Sequence, residues 1–274
     1  MKKIYIYGVR YADIVLYTAK ILQNLKHRVL ILDKSIDKRM RSFIPVFEEF
    51  DLSHGIFDYC GTGYTYGASA GNISAGLTGY AAERYERAAD HIAGKKEKLP
   101  GRKETEILKS VIDEDIAESA YDVMIVLNDA SAMLSPYAAD ERSGYDIRLF
   151  ITDEYPENVY ELRSALRAIA SEDLKDDGTG KRNIFVVRDY TGMARVIIND
   201  LQKLAGPSRN FLIPWSKKDR KLEMLAAYND SFRFVGISEE LAGLLEFFCE
   251  GIGIDTSGAD YKRAFMKAER GKGM

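Results

Sequence analysis

The sequence predicts a doubly wound α/β fold, a mostly parallel sheet with helices on both faces (P-loop NTPase-like or Rossmann-like). Three observations predict it. Short apolar runs and segments of helical period alternate along the chain. Those runs are continuous rather than alternating in polarity, as strands buried on both faces require. The first strand, helix and strand fit within the first 33 residues, a βαβ unit.

The elements follow in order. Ile4 to Tyr7 is a β-rich run ended by Gly8. From Asp13 to Lys26, Val15, Ala19, Leu22 and Leu25 recur at helical spacing. Val29 to Leu32 is an aliphatic strand closed by Asp33. A charged helix over Glu104 to Ser119 precedes the strand Val123 to Leu127, and Ile147 to Ile151 is the next strand. Pro156 opens a helix through Ala170, since proline suits a first turn. Ile184 to Val187 is a strand, and Met193 to Leu204 a helix closed by Gly206-Pro207. Phe211 to Ile213 is a short strand, followed by helices over Lys221 to Tyr228 and Glu239 to Gly251. The chain reads as a single domain over residues 1–274.

Three segments interrupt this order. Seven glycines lie between Gly55 and Gly79, with Tyr59, Tyr64, Tyr66 and Tyr80 among or beside them. This Gly/Tyr-rich insertion, around residues 55–80, reads as a surface loop. Its tyrosines suit a partner contact better than a ligand, because they offer large contact area with a polar handle. Lys95 to Lys103 is a charged loop, and Asp173 to Arg182 a smaller polar one.

Composition excludes several classes. The 274 residues are 46% hydrophobic and 30% charged, which argues against wholesale disorder. Net charge is −3, against the basic balance of a protein that grips nucleic acid over a broad face. Cys60 and Cys249 are too few for a disulfide framework, and with His27, His54 and His91 scattered a zinc site is not expected. Free thiols in a reducing compartment fit better. No apolar run reaches the ~20 residues of a membrane span, and the N-terminus has no signal-peptide core. The expected location is the cytoplasm.

The loop after the first strand commonly faces the ligand in such folds. Here it is Gly8-Val9-Arg10-Tyr11-Ala12-Asp13. A phosphate cradle needs several glycines, a Lys, and a Ser or Thr for magnesium. This loop has one glycine and no G-K-[ST]. Asp13 places a negative charge at the helix start, where it stabilises the helix and repels an anion. A capped helix without nucleotide is one reading; Arg10 as a phosphate clamp is the other.

The opening, MKKIYIYGVRYADIVLYTAKILQNLKHRVLILDKS, resembles the start of the MinD/ParA family of deviant P-loop ATPases. The shared order is a strand, a loop, a helix of small and apolar residues, a lysine-containing turn, then V-L-[IL]-[IL]-D. YDVMIVLND resembles the family's third-strand segment, and DIRLFITDEYPENVYELRSALRAI its next strand and helix. NIFVVRDYTG, then FLIPW, then FVGISEELAGLLEFFCEGI resemble the later strand, the I-P-[YF] turn and the closing helix. The resemblance covers most of the chain except residues 34–120, and within the family the pilus-assembly TadZ branch is most similar.

The departures from the family pattern fall where ATP chemistry would take place. The signature Lys and Thr fall near Tyr11 and Ala12, and the loop is several residues short. The magnesium-holding Asp is replaced by Asn128, with Asp129 one place later, and the base-side Asn by Arg188. Asp33 survives without a second carboxylate beside it. The resemblance with these departures implies a pseudo-ATPase with no catalytic residues, whose degenerate nucleotide site comprises Gly8, Arg10, Tyr11 and Asp33. No cofactor or metal is then expected; the alternative is an active ATPase with an atypical loop holding ATP and magnesium. A sugar- or nucleotide-handling Rossmann-like enzyme is a third reading. A scaffold or localisation role implies protein partners or self-association, with pilus or secretion assembly as the implied setting.

Three other features lie outside this pattern. Ser131, Ser135, Asp129 and His54 or His91 form no hydrolase set, since no G-x-S-x-G elbow exists. Trp215, after Pro214, reads as a packed residue at a strand end, with a pocket role as the alternative. Asp260 to Met274 reads as a short basic amphipathic segment with Tyr261, Ala264, Phe265 and Ala268 at helical spacing, giving at most a weak membrane contact.

Overall fold

Along the first strand, β1 (Lys2–Gly8), Ile4 and Ile6 alternate with Tyr5 and Tyr7, and all four are buried. Successive side chains point to opposite faces, so both faces of this strand must be covered. The structure, a computed structural model, describes residues 1–35, 40, 50–51, 56–59, 62–66, 120–130, 144–168, 182–205, 209–222 and 234–270.

After β1 come α1 (Ala12–Asn24) and β2 (Val29–Asp33). Three short strands follow, β3 (Phe50–Asp51), β4 (Ile56–Tyr59) and β5 (Thr62–Tyr66). Then come β6 (Val123–Asn128), β7 (Ile147–Asp153), α2 (Pro156–Ala168), β8 (Arg182–Asp189) and α3 (Ala194–Ala205). The chain continues through β9 (Arg209–Pro214), α4 (Glu239–Gly251) and α5 (Ala259–Arg270). The strands form one sheet in the order β3-β4-β5-β2-β6-β1-β7-β8-β9. Every pairing from β5 through β9 is parallel, while β3–β4 and β4–β5 are antiparallel.

Two cores result, one on each face. Ile4 and Ile6 pack with Ile14 and Leu22 of α1, Leu245 and Phe248 of α4, and Tyr261 and Ala268 of α5. On the other face Tyr5 and Tyr7 pack with Leu162 and Leu166 of α2 and Ala194 and Leu201 of α3. An aromatic stack runs across that face: Tyr5 to Tyr7 at 6.3 Å, Tyr7 to Phe150 at 5.7 Å, and Phe150 to Phe185 at 5.2 Å. This is the doubly wound arrangement expected from the sequence.

The glycine-rich stretch is corrected in part. Ile56–Tyr59 and Thr62–Tyr66 are strands, not loop, and β5 pairs with β2 from Val29↔Thr62 to Asp33↔Tyr66. Residues 67–80 lie outside the described residues, as do the helix at 104–119, the loops at 95–103 and 173–181, and most of the helix at 221–228. Cys60, His54, His91, Ser131 and Ser135 lie outside them too. Cys249 is a buried free thiol, pushed up to about 12 by burial and then by Glu246 and Glu250, so it is inert as a nucleophile.

The tail segment is helix α5. Tyr261, Ala264 and Ala268 are buried, and Phe265 is half-buried against Phe234 (5.8 Å, edge-on) and Tyr261 (6.0 Å). Its apolar face is turned onto the protein, while Lys262, Lys267 and Arg270 stay exposed. Among the described residues no helix is long and apolar enough to cross a membrane. Phe265→Ala is expected to lower stability by roughly 1.5–3 kcal/mol, less than a fully buried Phe→Ala costs, read from the urea midpoint at unchanged slope.

Candidate functional site at the strand ends

In parallel α/β sheets, ligand sites lie outside the carboxyl ends of the strands where the strand order reverses. Here β1 separates β6 from β7, so the chain winds outward in both directions from it. The strand ends at that crevice supply Gly8, Asp33, Asn128, Asp153 and Asp189.

Gly8 sits in register with Ile151 of β7 at φ +123°. A Cβ there would overlap the Ile151 carbonyl. That carbonyl accepts from the Val9 N–H at 3.2 Å, which fixes the chain's exit from the sheet. Arg10 then turns the chain in the left-handed region at φ 55°, and Tyr11 begins α1 with no side-chain cap. The Tyr11 side chain is buried in the core.

The two arginines of the loop region both have carboxylate partners. Arg10 Nε donates to Asp153 Oδ2 at 2.6 Å, and its guanidinium lies 5.9 Å from the Tyr155 ring centroid and 5.6 Å from that of Tyr190. Asp153, fully buried, also accepts from Asn158 Nδ2 (2.7 Å) and the Tyr155 N–H (3.2 Å). Arg188 crosses from β8 to the start of α1. It donates to Asp13 Oδ1 at 2.5 Å and to the Arg10 carbonyl at 2.9 Å. The Asp13 side chain is 4% exposed and that of Arg188 11%.

Glu154 closes the far side of the crevice. Its carboxylate accepts from the backbone N–H groups of Tyr190 (2.9 Å), Thr191 (2.6 Å) and Met193 (2.8 Å), just ahead of α3. Burial acts to raise its pKa, but the hydrogen bonds outweigh it and hold the carboxyl below the usual range. Asp189 accepts from the Gly192 N–H at 2.7 Å. Sequence reading missed Asp153 and Glu154; two carboxylates ending a strand at I-T-D-E were the available signal. Trp215 corrects another expectation: it is 54% exposed at the end of β9, where its backbone N–H donates to the Asp189 carbonyl at 2.6 Å.

On the other side of β1, Asp33 is fully buried and accepts from the Ser35 N–H (3.0 Å) and Oγ–H (2.5 Å). Asn128 is also fully buried, and neither its Nδ2 nor its Oδ1 has a partner among the described residues. A buried amide in that state costs free energy unless something satisfies it. Asp129 follows, 7% exposed. Of the residues expected from the sequence, Gly8, Arg10 and Tyr11 therefore form one loop. Asp33 lies two strands away, beyond β6.

ATP and magnesium can be tested against these groups. A triphosphate in this fold would lie on the N-terminus of α1, on free backbone N–H groups. That end carries Asp13, tied to Arg188, and the Ile14 N–H donates to Asp13 Oδ1 at 2.8 Å. An internal carboxylate thus stands in the place of the phosphate, and the residues present do not fit the cradle. Among the described residues there is no group of three or more His, Cys, Asp or Glu suited to a metal ion.

No family model matches the chain, and no curated protein matches it. Solved structures do. A ParA family ATPase from Chlorobium tepidum TLS is 10% identical and superposes with a TM-score of 0.52, covering 91% of this chain and 99% of that one. An ATP complex of an McdA variant from Cyanothece is 14% identical with a TM-score of 0.52, covering 93% and 97%. At such identities the likeness concerns the fold alone. With the strand order, the two helical layers and the strand-end crevice, it shows that the chain has a MinD/ParA-like P-loop NTPase fold.

Proposed function

We propose that the protein is a non-catalytic pseudo-ATPase that keeps the MinD/ParA-like scaffold and acts as a scaffold or localisation factor. The observation that carries this reading is the buried Asp13–Arg188 pair at the start of α1. It supplies from within the chain the anion that the helix N-terminus favours, so a phosphate would have to displace it. The setting, by resemblance, is pilus or secretion assembly, with protein partners or self-association. Calorimetric titration with ATP and magnesium tests it. No binding tighter than a dissociation constant of roughly 100 µM, about 5.5 kcal/mol, is expected; tighter binding would overturn the reading.

One observation favours a second reading, an active ATPase with an atypical phosphate loop. The Asn128 amide is buried with both polar atoms unpartnered among the described residues, and Asp33 and Asp129 stand near it on the neighbouring strand end and next in sequence. The same titration decides. ATP binding that Asn128→Leu abolishes would establish this second reading in place of the first.

A further inference from the structure

Asp153, the last residue of β7, and Glu154 after it each hold the start of a different helix. Asp153 Oδ1 accepts from the Tyr155 N–H at 3.2 Å and from Asn158 Nδ2 at 2.7 Å, where α2 begins. The Glu154 carboxylate accepts from the N–H groups of Tyr190, Thr191 and Met193, ahead of α3. The Gly192 N–H goes to Asp189, so carboxylates hold every N–H group of the turn 190–193. At each helix start the first N–H held is that of a tyrosine, Tyr155 at one and Tyr190 at the other.

One side chain lies against both of those rings. The Arg10 guanidinium is 5.9 Å from the Tyr155 centroid and 5.6 Å from that of Tyr190, within reach of a cation–π contact with each. Its Nε donates to Asp153 Oδ2 at 2.6 Å. The Arg10 backbone is in the left-handed region, at φ 55°, which a residue with a Cβ adopts at a cost. Ties from two strands hold it there. Asp153 of β7 takes the side chain, and Arg188 of β8, the strand that leads into the turn 190–193, donates to the Arg10 carbonyl at 2.9 Å. A strained residue kept in place by its surroundings has a second, relaxed arrangement open to it when those ties break.

From this geometry we infer that Arg10 is a catch that joins the β1 loop to the starts of α2 and α3, so that the three loosen or tighten together. Arg10 is a positioning residue in this device. Its release uncovers one face of each tyrosine ring and removes the cation from Asp153 in the same step. In return, a tyrosine ring that is held still keeps Arg10 on Asp153. Coupling of this kind is reciprocal. A disturbance at the α2 start is therefore felt at the α3 start by way of Arg10. The Arg163–Asp200 ion pair, at 3.1 Å, ties the same two helices further along their length. The α2 and α3 layer thus answers to the β1 loop with or without a nucleotide. The inference goes beyond the scaffold reading and does not depend on whether the strand-end site takes ATP.

Amide hydrogen exchange resolved by residue tests it. Arg10→Met should raise the exchange of the Tyr155, Tyr190, Thr191 and Met193 amides by about tenfold, the combined loss of one ion pair and two ring contacts. The amides of Ile4 to Tyr7 in β1 and of α5 should exchange as in the wild type. Arg10→Lys keeps the charge and should restore part of the protection. Tyr155→Leu and Tyr190→Leu each remove one exposed ring, so both should fold even if Arg10→Met does not. Each should raise exchange at the other tyrosine's helix start by about two- to fivefold, as loss of one exposed cation–π contact does. In the Arg10→Met background these cross-effects should vanish. Exchange that rises only beside the substituted residue, or evenly through the whole protein, would overturn the inference. So would cross-effects that persist in the Arg10→Met background, since the two helix starts would then be coupled without Arg10.

Discussion

Replacing Arg188 by Met is expected to destabilise the protein by about 3–5 kcal/mol, the usual cost of removing one member of a buried ion pair. Asp13 is buried at the start of α1 and would be left without its cation. The Arg10 carbonyl would lose its donor in the same step. The helix N-terminus softens the loss, since Asp13 still receives the Ile14 N–H and the favourable end of the helix dipole. The converse change, Asp13→Leu, should cost less. Arg188 is the more exposed partner, at 11% against 4%, and its guanidinium can turn toward water. The double variant should recover much of the Arg188→Met loss, because neither charge is then buried alone. Urea midpoints of the four proteins give the coupling by a double-mutant cycle. Equal and additive losses would mean that the pair contributes nothing as a pair. The same proteins carry a functional readout: if Asp13 excludes phosphate, the double variant still lacks the glycine cradle and should gain no ATP affinity.

That pair also marks how far the sequence could be read. Asp13 and Arg188 each stood out, one as a charge at a helix start, the other as a departure from a family pattern. Nothing in the sequence joined them, because they are 175 residues apart and meet only through the sheet. β1 pairs with β7 and β7 with β8 in register, Gly8↔Ile151 and Asp153↔Arg188, and that lateral order places the β8 end over α1. Periodicity reports which residues form a strand, not which strand lies beside it. For the same reason most strands and helices were legible to within a few residues, while the partners of Arg10 and Arg188 were not. The strands at Ile56–Tyr59 and Thr62–Tyr66 were hidden differently. Glycine density suggested a loop, yet Ile56, Phe57, Tyr64 and Tyr66 are residues of high β-propensity, and Gly63 sits inside a ladder opposite Leu30 and Asp58. An aromatic residue at a strand end is usually packed, whereas at Trp215 the chain ends its sheet pairing at Pro214 and leaves the ring exposed.

Gly8→Ala should be the most damaging single methyl group in the molecule's first loop. Two penalties combine at this position and can be separated. The first is conformational: φ is +123°, a region that side-chain-bearing residues adopt at a cost of about 1–3 kcal/mol. The second is steric: the added Cβ would overlap the Ile151 carbonyl, which is backbone in the neighbouring strand and cannot swing aside as a side chain could. β1 lies between β6 and β7 at the middle of the sheet, so relief requires parting β1 from β7 at the end that carries Arg10 and Asp153. Gly192→Ala provides the control. Gly192 also has positive φ, +89°, but a Cβ there meets nothing within 4 Å. It should show the conformational penalty alone, about 1 kcal/mol. Gly8→Ala should exceed it by several kcal/mol, in the range reserved for overpacking and strain together. Denaturant midpoints of the two variants measure the difference. If they lose stability equally, the contact between Gly8 and Ile151 is not close, and the narrow exit that turns the chain toward Arg10 and α1 is wider than described.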